Sequence, residues 1–502
     1  MAQNVLLGLD IGTQAVKGVL VTSDGDVLSS ASLERGPQHP HQGWAEMDAE
    51  KDWWQAGVTV VRKLLATSGI DPRTISAVGV TALACCLCPL DAWGVPLRPA
   101  IIYSDNRAIA ELEWVNHVSG LSLSAEAVVP KLIWIRQHEP EVFSKIKTIL
   151  SANNYVVYRL TGRQTMDYDN ASIMGGIFEV KTKTWNTERL RLLELSASIW
   201  PELLPATGIA GRVSDEAAQV TGLVSGTPVI AGTGDTFPTI VGCGAVGSGD
   251  AMVSFGTTGL LTLANRPLVE AVEGPHFSSV LGEGAVTWGA NVLSAGRLLK
   301  WFRDQFAGQE LVVAERMGIS EYDLLEKEAE RVAPGAEGLI VLPHLLGRRT
   351  PTANPVLRGA ILGLTPSHTT VHIYRAMLEA FAFNVRQGFD VVRPNVRRLI
   401  ATAGGARSTL WRQIVASVLE MPLVYHANGS GPLGIAYIAA YALGLVQSFD
   451  EINTRWLRFP KTTAPVSEWA EVYRQVYPVY ADFDEALVKP FSNLALLNHT
   501  TI

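Results

Sequence analysis

A strand-turn-strand pattern that occurs twice is the feature that most constrains the fold of this chain. Near the N-terminus, the apolar run of residues 5–10 enters a Gly-Thr turn, and a second apolar run follows. Halfway along the chain, residues 251–255 enter another Gly-Thr turn before a strand pattern resumes. Two such patterns so far apart predict two related domains, not a short-period solenoid.

The length of the chain supports the same division. A chain of 502 residues exceeds what one ordinary core serves, so two domains of about 250 residues each are expected. Residues 244–249 read Gly-Ala-Val-Gly-Ser-Gly, which is typical of a hinge. We therefore predict domains at residues 1–246 and 247–502. Strand patterns alternate with helical ones, such as the apolar stripe of residues 369–392, which favours an α/β fold.

Composition excludes several classes of partner. Hydrophobic residues make up 47% of the chain and charged residues 18%, and the net charge is −7 with no Lys/Arg-rich run. We therefore expect no nucleic acid and no membrane as partner. The longest nearly apolar stretch, residues 431–446, is shorter than a membrane span and contains two interrupting glycines, so we predict a buried helix there.

Cysteine usage and the first residues predict a cytoplasmic, reduced protein. Four cysteines cannot form a disulfide framework in a chain of this length, and no basic segment of a secretory signal is present at the N-terminus. Cys85, Cys86 and Cys88 cluster within residues 75–89, which we predict to form one long strand. Adjacent strand residues point to opposite faces and no second Cys/His pair is near in sequence, so a metal site is not expected at the cluster.

Two Gly-rich turns are candidates for phosphate binding. A turn after a strand can expose consecutive backbone N–H groups, and glycine lets the chain approach an anion closely. Thr13 and Gln14 lie in the first such turn, and Gly256, Thr257 and Thr258 form the second. Two such turns facing each other would hold a polyphosphate from both sides, although a turn of this kind is on its own more often an ordinary tight turn.

A third Gly-rich segment follows the strand-like residues 399–403. Gly404 and Gly405 precede Ser408 and a helical stretch. Strand, double glycine and helix form a common seat for a nucleotide base or ribose, and also a common way to turn a corner. Neither a Walker-type loop nor a dinucleotide-binding fingerprint follows a strand in the sequence, which removes the two commonest nucleotide-binding folds.

Asp10 and Asp235 each end an apolar strand beside small residues, where a carboxylate can reach a cleft while the backbone behind it is buried. Magnesium prefers oxygen ligands and keeps several waters, so one or two carboxylates and phosphate oxygens suffice to bind it. A single Asp after a glycine is more often a turn former or a helix cap. Asp235 therefore has three candidate roles, which are turn former, magnesium ligand and catalytic base.

Together these segments resemble the FGGY family of carbohydrate kinases, part of the actin/hexokinase/Hsp70 group of ATPases, over nearly the whole chain. The segments that carry the resemblance are Leu9-Asp10-Ile11-Gly12-Thr13, Gly43-Trp44-Ala45-Glu46-Met47-Asp48, Arg98-Pro99-Ala100-Ile101, Asp105-Asn106-Arg107, Gly234-Asp235-Thr236, Gly256-Thr257-Thr258-Gly259 and Gly404-Gly405-Ala406-Arg407-Ser408. The family's C-terminal signature is matched position by position from Gly359 to Glu379. Its N-terminal signature is met only in the second half, because Val128 stands where a small, aromatic or Met residue is typical.

The resemblance implies an ATP-dependent sugar kinase with two ribonuclease-H-like α/β domains around a central cleft. ATP, Mg²⁺ and the sugar are expected to meet in that cleft. Asp10 and Asp235 are then expected near the magnesium, and Asp235 also matches the general base. The residues expected to bind ATP are Thr13, Gln14, Gly256, Thr257 and Thr258 at the phosphates, and Gly404, Gly405 and Ser408 at the adenosine.

The resemblance is closer to xylulokinase-type members than to glycerol kinases, so a ketopentose such as xylulose is the expected substrate. Ala84 and Cys85 occupy positions where xylulokinases usually place Met and His against the ketose, so one imidazole hydrogen bond is missing. Asp105 and Arg107 could bind sugar hydroxyls, an anionic group or each other. Ribulose, glycerol, erythritol and gluconate are the alternative substrates.

Three further expectations follow from the resemblance. A homodimer is a common arrangement among relatives. Arg348 stands where the family often has Glu, with no effect assigned to it. A non-kinase actin-like ATPase is the alternative class of function, which the match at Asp235 and the C-terminal signature disfavour.

Overall fold

The computed structural model describes residues 4–267, 276–278, 285–292, 294–393, 396–458 and 460–499. These residues pack into two units. The first holds the described residues within 1–246, 277–286 and 430–458, and the second holds those within 247–276, 287–429 and 459–502. The units differ from the predicted ranges 1–246 and 247–502 chiefly because residues 430–458 pack with the first unit.

The strands outside the two large sheets are two or three residues long. In chain order the strands are β1 Val5–Ile11, β2 Ala15–Thr22, β3 Val27–Glu34, β4 Glu46–Met47, β5 Ile75–Ala82, β6 Cys88–Leu90, β7 Ala100–Ile101, β8 Thr148–Leu150, β9 Thr165–Asp167, β10 Phe178–Glu179, β11 Thr184–Trp185, β12 Glu202–Leu204, β13 Ile209–Arg212, β14 Pro228–Ile230, β15 Thr233–Gly234, β16 Asp250–Phe255, β17 Gly259–Pro267, β18 His276–Ser278, β19 Ala285–Val292, β20 Ile340–Leu342, β21 Ala360–Leu362, β22 Arg398–Thr402, β23 Leu423–Tyr425 and β24 Lys461–Thr463.

Helices connect and cover these strands. They are α1 Ala56–Ser68, α2 Ile109–Ser119, α3 Val128–His138, α4 Pro140–Phe143, α5 Ala152–Thr161, α6 Tyr168–Ser172, α7 Thr187–Leu192, α8 Asp215–Thr221, α9 Thr236–Gly242, α10 Gly296–Phe306, α11 Gly308–Met317, α12 Glu321–Ala329, α13 Thr370–Val392, α14 Thr409–Leu419, α15 Gly431–Ala442, α16 Ile452–Arg455, α17 Ser467–Ala486 and α18 Val488–His499. A π-helical segment, Ala49–Gln55, leads into α1. Among the residues that the structure describes, none of the helices combines the length and apolar character that crossing a bilayer needs.

The first large sheet confirms the predicted strand-turn-strand start. Its order is β13-β14-β5-β1-β2-β3, and β15 also pairs with β5. β1 and β2 are antiparallel, and a hydrogen bond of 3.0 Å from Gly12 N to Ala15 O closes the turn between them. β5 runs parallel to β1 on one side and to β14 and β15 on the other. The carboxyl ends of β1 and β15 therefore lie at the same edge of the sheet.

The second large sheet repeats this arrangement. Its order is β18-β19-β17-β16-β22-β23-β24. β16 is antiparallel to β17 and parallel to β22, as β1 is antiparallel to β2 and parallel to β5. The predicted helix at residues 369–392 is confirmed as α13, and Met377, Phe381 and Phe389 of its apolar stripe are buried in the core of the second unit.

One predicted strand is wrong. Residues 75–89 were expected to form a single strand, but β5 ends at Ala82 and β6 begins at Cys88. Between them Cys85 has a φ of 56°, a left-handed conformation that an extended strand does not accommodate. The break turns the segment with Ala84 and Cys85 out of the sheet.

The predicted buried helix at residues 431–446 is confirmed as α15, which is buried from Gly431 to Ala440. Glycines let it lie unusually close to its neighbours. A Cβ on Gly8 of β1 would be 1.9 Å from Pro432 O, and a Cβ on Gly434 would be 1.8 Å from Pro238 O of α9. α15 therefore crosses α9 and covers β1 with almost no side chain between the backbones.

Arg348 lies in a buried ion pair of the second unit. Its Nη1 donates to Asp484 Oδ2 at 2.7 Å, and its Nε donates to Thr352 O at 3.1 Å. Burial alone would raise the pKa of Asp484, but hydrogen bonds and charge from His344, together with bonds from Gln387 and Arg348, hold it below its ordinary value. Arg348 thus ties the segment between β20 and β21 to α17.

We predict that Arg348→Ala strongly destabilises the protein, because it leaves the Asp484 carboxylate buried without its guanidinium partner, at a cost of ~3–5 kcal/mol. The measurement is the denaturant midpoint of unfolding. Arg163→Ala is the control, since Arg163 and its partner Glu202 are 50% and 57% exposed and such a pair contributes ~0–1 kcal/mol. Equal midpoints for the two variants would contradict this account of Arg348.

Candidate active site

Asp10 lies next to the end of β1 with a half-buried side chain. Its Oδ1 atom is buried, and no group in the described part of the chain donates a hydrogen bond to it. Its Oδ2 atom lies at the start of α15, where a Cβ on Gly431 would be 3.2 Å away. The absence of a side chain on Gly431 lets α15 begin against the carboxylate, and the N-terminal end of a helix favours a negative charge.

Asp235 directly follows β15 and precedes α9. Its carboxylate makes no capping hydrogen bond to the described residues of α9. Instead, Oδ1 lies 3.4 Å from the Thr236 hydroxyl, and the main-chain oxygen of Asp235 accepts a bond of 2.7 Å from the Thr239 hydroxyl. The side chain therefore does not cap the helix, and its magnesium-ligand and base roles stay predictions.

The two carboxylates influence each other. Burial, and after it the negative charge of Asp235, raise the pKa of Asp10 to about 7, with Lys17 opposing the shift. Burial raises the pKa of Asp235 to about 6, and hydrogen bonds from Thr236 partly offset this. Ionising either acid is therefore unfavourable in the protein alone. Raised carboxyl pKa values of this kind are typical of groups that bind a ligand or accept a proton.

The pair fits a hard divalent cation such as Mg²⁺. A buried carboxylate oxygen without a donor, and a second carboxylate within electrostatic reach, are both stabilised by positive charge. No group of three or more His, Cys, Asp or Glu side chains is arranged to hold a metal among the described residues. Phosphate oxygens and water would therefore have to complete the coordination, which Mg²⁺ accepts readily. The magnesium role of Asp10 and Asp235 stays a prediction.

The turn with Thr13 and Gln14 adjoins Asp10. Thr13 is half-buried and Gln14 is exposed. The main-chain oxygen of Gln14 accepts a bond of 2.9 Å from Arg35 N, which ties the turn to the end of β3. Thr13 and Gln14 thus lie at the same end of β1 as the carboxylate of Asp10, and their phosphate-binding role stays a prediction.

Ala84 and Cys85 lie beside the segment that carries Asp235. Both are half-buried, and a Cβ on Gly234 would be 3.1 Å from the methyl group of Ala84. Burial raises the pKa of the Cys85 thiol to about 12, and the charge of Asp235 contributes to the shift. The thiol is therefore neutral. The segment predicted to contact the sugar and the predicted base are thus neighbours.

Asp105 and Arg107 pair with each other, which was one of the alternatives predicted. The guanidinium donates from Nε to Asp105 Oδ1 at 2.9 Å and from Nη2 to Oδ2 at 2.7 Å. Nη2 also lies 2.7 Å from Glu46 Oε1, and the group stacks 3.7 Å above the ring of Trp44. Both side chains of the pair are fully buried. Nη1 of Arg107 is buried and has no acceptor among the described residues.

Sequence reasoning did not assign roles to the residues that hold this pair. Arg98 bonds to Glu46 as well, and the 2.6 Å bond from Ala45 N to Asp105 Oδ2 fixes the neighbouring backbone. Lys131 is fully buried, and its Nζ donates to the main-chain oxygens of Ile102 at 2.9 Å and Glu126 at 3.1 Å. A lone lysine within the apolar residues 128–135 was the available signal for this contact.

The Gly-Thr turn of the second unit lies at the end of β16. Thr257 and Thr258 are exposed, and Gly256 is half-buried. Main-chain oxygens of the turn accept bonds from the first residues of α10, with Gly296 N at 2.8 Å from Gly256 O and Arg297 N at 3.0 Å from Thr257 O. The turn is therefore held in place by main-chain hydrogen bonds to α10, and its two threonines are exposed to solvent.

The segment with Gly404, Gly405 and Ser408 adjoins that turn. A Cβ on Gly256 would be 3.9 Å from Ala403 Cβ, because β16 and β22 are parallel neighbours and end together. Gly404 is exposed, and its Cβ position has no described atom within 4 Å. The Ser408 hydroxyl accepts a bond of 2.9 Å from Trp411 N and so caps α14.

Arg412 supports the glycine segment and was not predicted. It is buried, and its Nη1 donates to the main-chain oxygens of Ala406 and Arg407, the latter at 3.0 Å. Its Nε lies 3.2 Å from the Thr463 hydroxyl on β24. An arginine in the first turns of an apolar helix was the signal in the sequence, but its partner on β24 is too distant along the chain to be inferred.

Comparison with known proteins identifies the family. The models of the N-terminal and C-terminal domains of the FGGY family of carbohydrate kinases match residues 5–242 and 251–443. A gluconokinase of Bacillus licheniformis is 30% identical over 511 residues, which cover 98% of this chain and 97% of that protein. A xylulose kinase of Staphylococcus xylosus is 27% identical over 496 residues, which cover 95% and 98% of the two chains.

A solved structure has the same fold. The ligand-bound xylulose kinase from Lactobacillus acidophilus superposes with a TM-score of 0.86 at 25% identity and covers 98% of this chain and 100% of its own. Both halves of the sequence, both large sheets and the matched signatures thus agree with the predicted resemblance. The chain belongs to the FGGY family of carbohydrate kinases and is a sugar kinase with the two-domain, actin/hexokinase-like α/β fold of that family.

Proposed function

We propose that this sugar kinase transfers the γ-phosphoryl group of ATP to a hydroxyl group of a ketopentose, with xylulose as the first candidate. The observation that carries the proposal is the pair of half-buried carboxylates, Asp10 and Asp235, with pKa values raised to about 7 and about 6. A carboxylate that titrates near neutral pH suits a general base. A second carboxylate with an oxygen that lacks a donor suits Mg²⁺.

Asp235 is the proposed general base. A sugar hydroxyl is a far weaker acid than a carboxylic acid, so Asp235 does not ionise it in advance. Its carboxylate accepts a hydrogen bond from the hydroxyl and so directs the oxygen lone pair at phosphorus. It then receives the proton as the new O–P bond forms and the bond to the leaving ADP oxygen breaks. The raised pKa of Asp235 makes it a better proton acceptor than an exposed carboxylate.

Asp10 is the proposed main holder of Mg²⁺, with Asp235 contributing. When bound, the ion supplies positive charge that offsets the charge of the phosphate groups. The turn after β1 is proposed to bind phosphate oxygens through the backbone N–H groups of Thr13 and Gln14. Because Asp10 and this turn belong to one strand end, the chain itself fixes the position of the phosphate relative to the carboxylate.

The second unit is proposed to bind the rest of ATP. Gly256, Thr257 and Thr258 would contact the terminal phosphates, since the two threonines are exposed and the turn is anchored by α10. Gly404 and Gly405 would border the adenosine. Ser408 would act there by capping α14 and fixing the glycine segment, because its hydroxyl already accepts the bond from Trp411 N.

The acceptor is proposed to be neutral because two carboxylates lie at the site. Asp10 and Asp235 would repel a carboxylate, and Arg107 is matched by Asp105 and Glu46. Gluconate is the second candidate. It is favoured by the 30% identity to the gluconokinase of B. licheniformis.

We predict that xylulose is phosphorylated with a kcat/KM at least about tenfold above that of gluconate, a difference of about 1.4 kcal/mol in the transition state. The measurement is ADP release with Mg²⁺-ATP over xylulose, ribulose, gluconate, glycerol and erythritol. A preference for gluconate would overturn the ketopentose proposal in favour of the second candidate. Equal ADP release with and without every acceptor would contradict an acceptor-specific kinase.

We predict that Asp235→Asn lowers kcat by ~10²–10⁴-fold, the range typical of general-base loss. Asp26→Asn, at an exposed position in the β2–β3 turn, is the matched control and should leave kcat unchanged. In the wild type, kcat/KM should fall as the pH drops below about 6, because protonated Asp235 cannot accept the proton. Near-normal turnover of Asp235→Asn would contradict the assignment.

A further inference from the structure

The strand that leads to Asp235 is interrupted just before the base. β14 ends, and β15 resumes for only two residues, Thr233 and Gly234, which pair with β5. Between the two strands Gly232 has a φ of 68°, and a Cβ on it would be 1.9 Å from Val80 O. A strand pairing of only two residues holds the backbone weakly, so other contacts must fix the position of Asp235.

Two side-chain hydrogen bonds hold this segment from the side of α5 and α6. The Thr233 hydroxyl donates to Asp169 Oδ2 at 3.0 Å, and Asn153 Nδ2 donates to Ala231 O at 3.3 Å. Thr233 and Asn153 are fully buried, and Asp169 is 4% exposed. Hydrogen bonds in such surroundings are strong, and a buried acceptor that loses its donor is costly.

The Asn153 contact continues by a hydrogen bond to the buried carboxylate of Asp167, and Asp169 follows Asp167 by two residues along the chain. Asp167 accepts bonds from Asn170 N at 2.9 Å and Asn170 Nδ2 at 2.7 Å, and from the Nδ2 atoms of Asn153 and Asn154 at 3.2 Å each. Four donors on one buried carboxylate lock α5, the end of β9 and the start of α6 together. We call Asn153, Asn154, Asp167, Asp169 and Asn170 the Asp167 cluster.

We infer that the Asp167 cluster positions the general base through the Thr233–Asp169 hydrogen bond. Only Gly234 separates Thr233 from Asp235, whose own backbone is already helical where α9 begins. A bond that fixes Thr233 therefore restricts where the backbone of Asp235 lies. Thr233 and Asp169 are positioning residues in this account, which rests on the proposed role of Asp235 as base. The expected signature is a loss of turnover without a loss of ATP binding.

The sheet supplies a matched control for Thr233. Thr81 of β5 lies opposite it in the register and is also fully buried. The Thr81 hydroxyl has no hydrogen-bond partner among the described residues. Thr81→Val and Thr233→Val thus make the same chemical change one strand apart, but only the second removes a hydrogen bond to the Asp167 cluster.

The test is steady-state kinetics of the full-length enzyme with its best acceptor. We expect Thr233→Val to lower kcat about tenfold, as loss of one hydrogen bond can do, with the KM for ATP within about twofold of wild type. Thr233→Ser should restore kcat to within about threefold, and Thr81→Val should match the wild type. Asp169→Leu removes the hydrogen-bond acceptor together with its buried carboxyl group, and it should lower kcat as Thr233→Val does. If Thr233→Val does not fold, Asp169→Leu is measured in its place.

Three outcomes would overturn this inference, and they distinguish its failure from failure of the proposed function. If Asp235→Asn loses turnover but Thr233→Val and Asp169→Leu keep the kcat of Thr81→Val, the positioning role is overturned and the base role stands. If Asp235→Asn keeps normal turnover, the base role fails, and the positioning role fails with it. A loss of kcat in Thr233→Val that Thr233→Ser does not restore also overturns the inference, because it would reflect packing and not the hydroxyl.

Discussion

The placement of two carboxylates at one end of β5 is the constraint on which the rest of the site depends. Asp10 lies opposite Thr81 on one side of β5, and Thr233, two residues before Asp235, lies opposite Thr81 on the other. Because neighbouring strands are ~4.8 Å apart, the backbones that carry the two acids are separated by roughly 10 Å. Buried carboxylates within mutual reach resist being charged together. A bound cation, or a proton accepted from a hydroxyl group, lowers the repulsion between the two carboxylates. Both a cation and such a proton take part in phosphoryl transfer.

The surrounding packing makes such an unfavourable pair possible. α15 lies directly against β1 and β5, since a Cβ on Gly8 would be 1.9 Å from Pro432 O and one on Gly79 would be 2.6 Å from Ile435 O. Its side chains fill the core on that face, so the sheet end that carries the acids is fixed by apolar burial, which is the main source of stability in a fold of this size. The same close approach places the N-terminus of α15 beside Asp10, where it favours the ionised form.

Local patterns were sufficient for much of the fold. The strand-turn-strand starts follow from apolar runs that end in Gly-Thr turns, α13 from the period of its apolar residues, and α15 from a long, nearly apolar stretch. The family resemblance covered both halves of the chain. Contacts between distant segments were not accessible in this way. The Arg107–Glu46 bond, the Asp167 cluster and the packing of residues 430–458 with the first unit each join segments whose proximity only the folded chain defines. The break at Cys85 was missed because the apolar run continues through it, whereas the backbone conformation does not.

The measurement that tests the acid pair most directly is a carboxyl ¹³C NMR titration of metal-free, ¹³C-aspartate-labelled protein, with Asp10→Asn used to assign the Asp10 signal. The account predicts that Asp10 titrates near pH 7, well above the ordinary value of 3.8. In Asp235→Asn its pKa should fall, because the neighbouring negative charge is gone. A midpoint near 3.8 in the wild type, or a midpoint that does not change in Asp235→Asn, would contradict the claim that these two carboxylates form one coupled site.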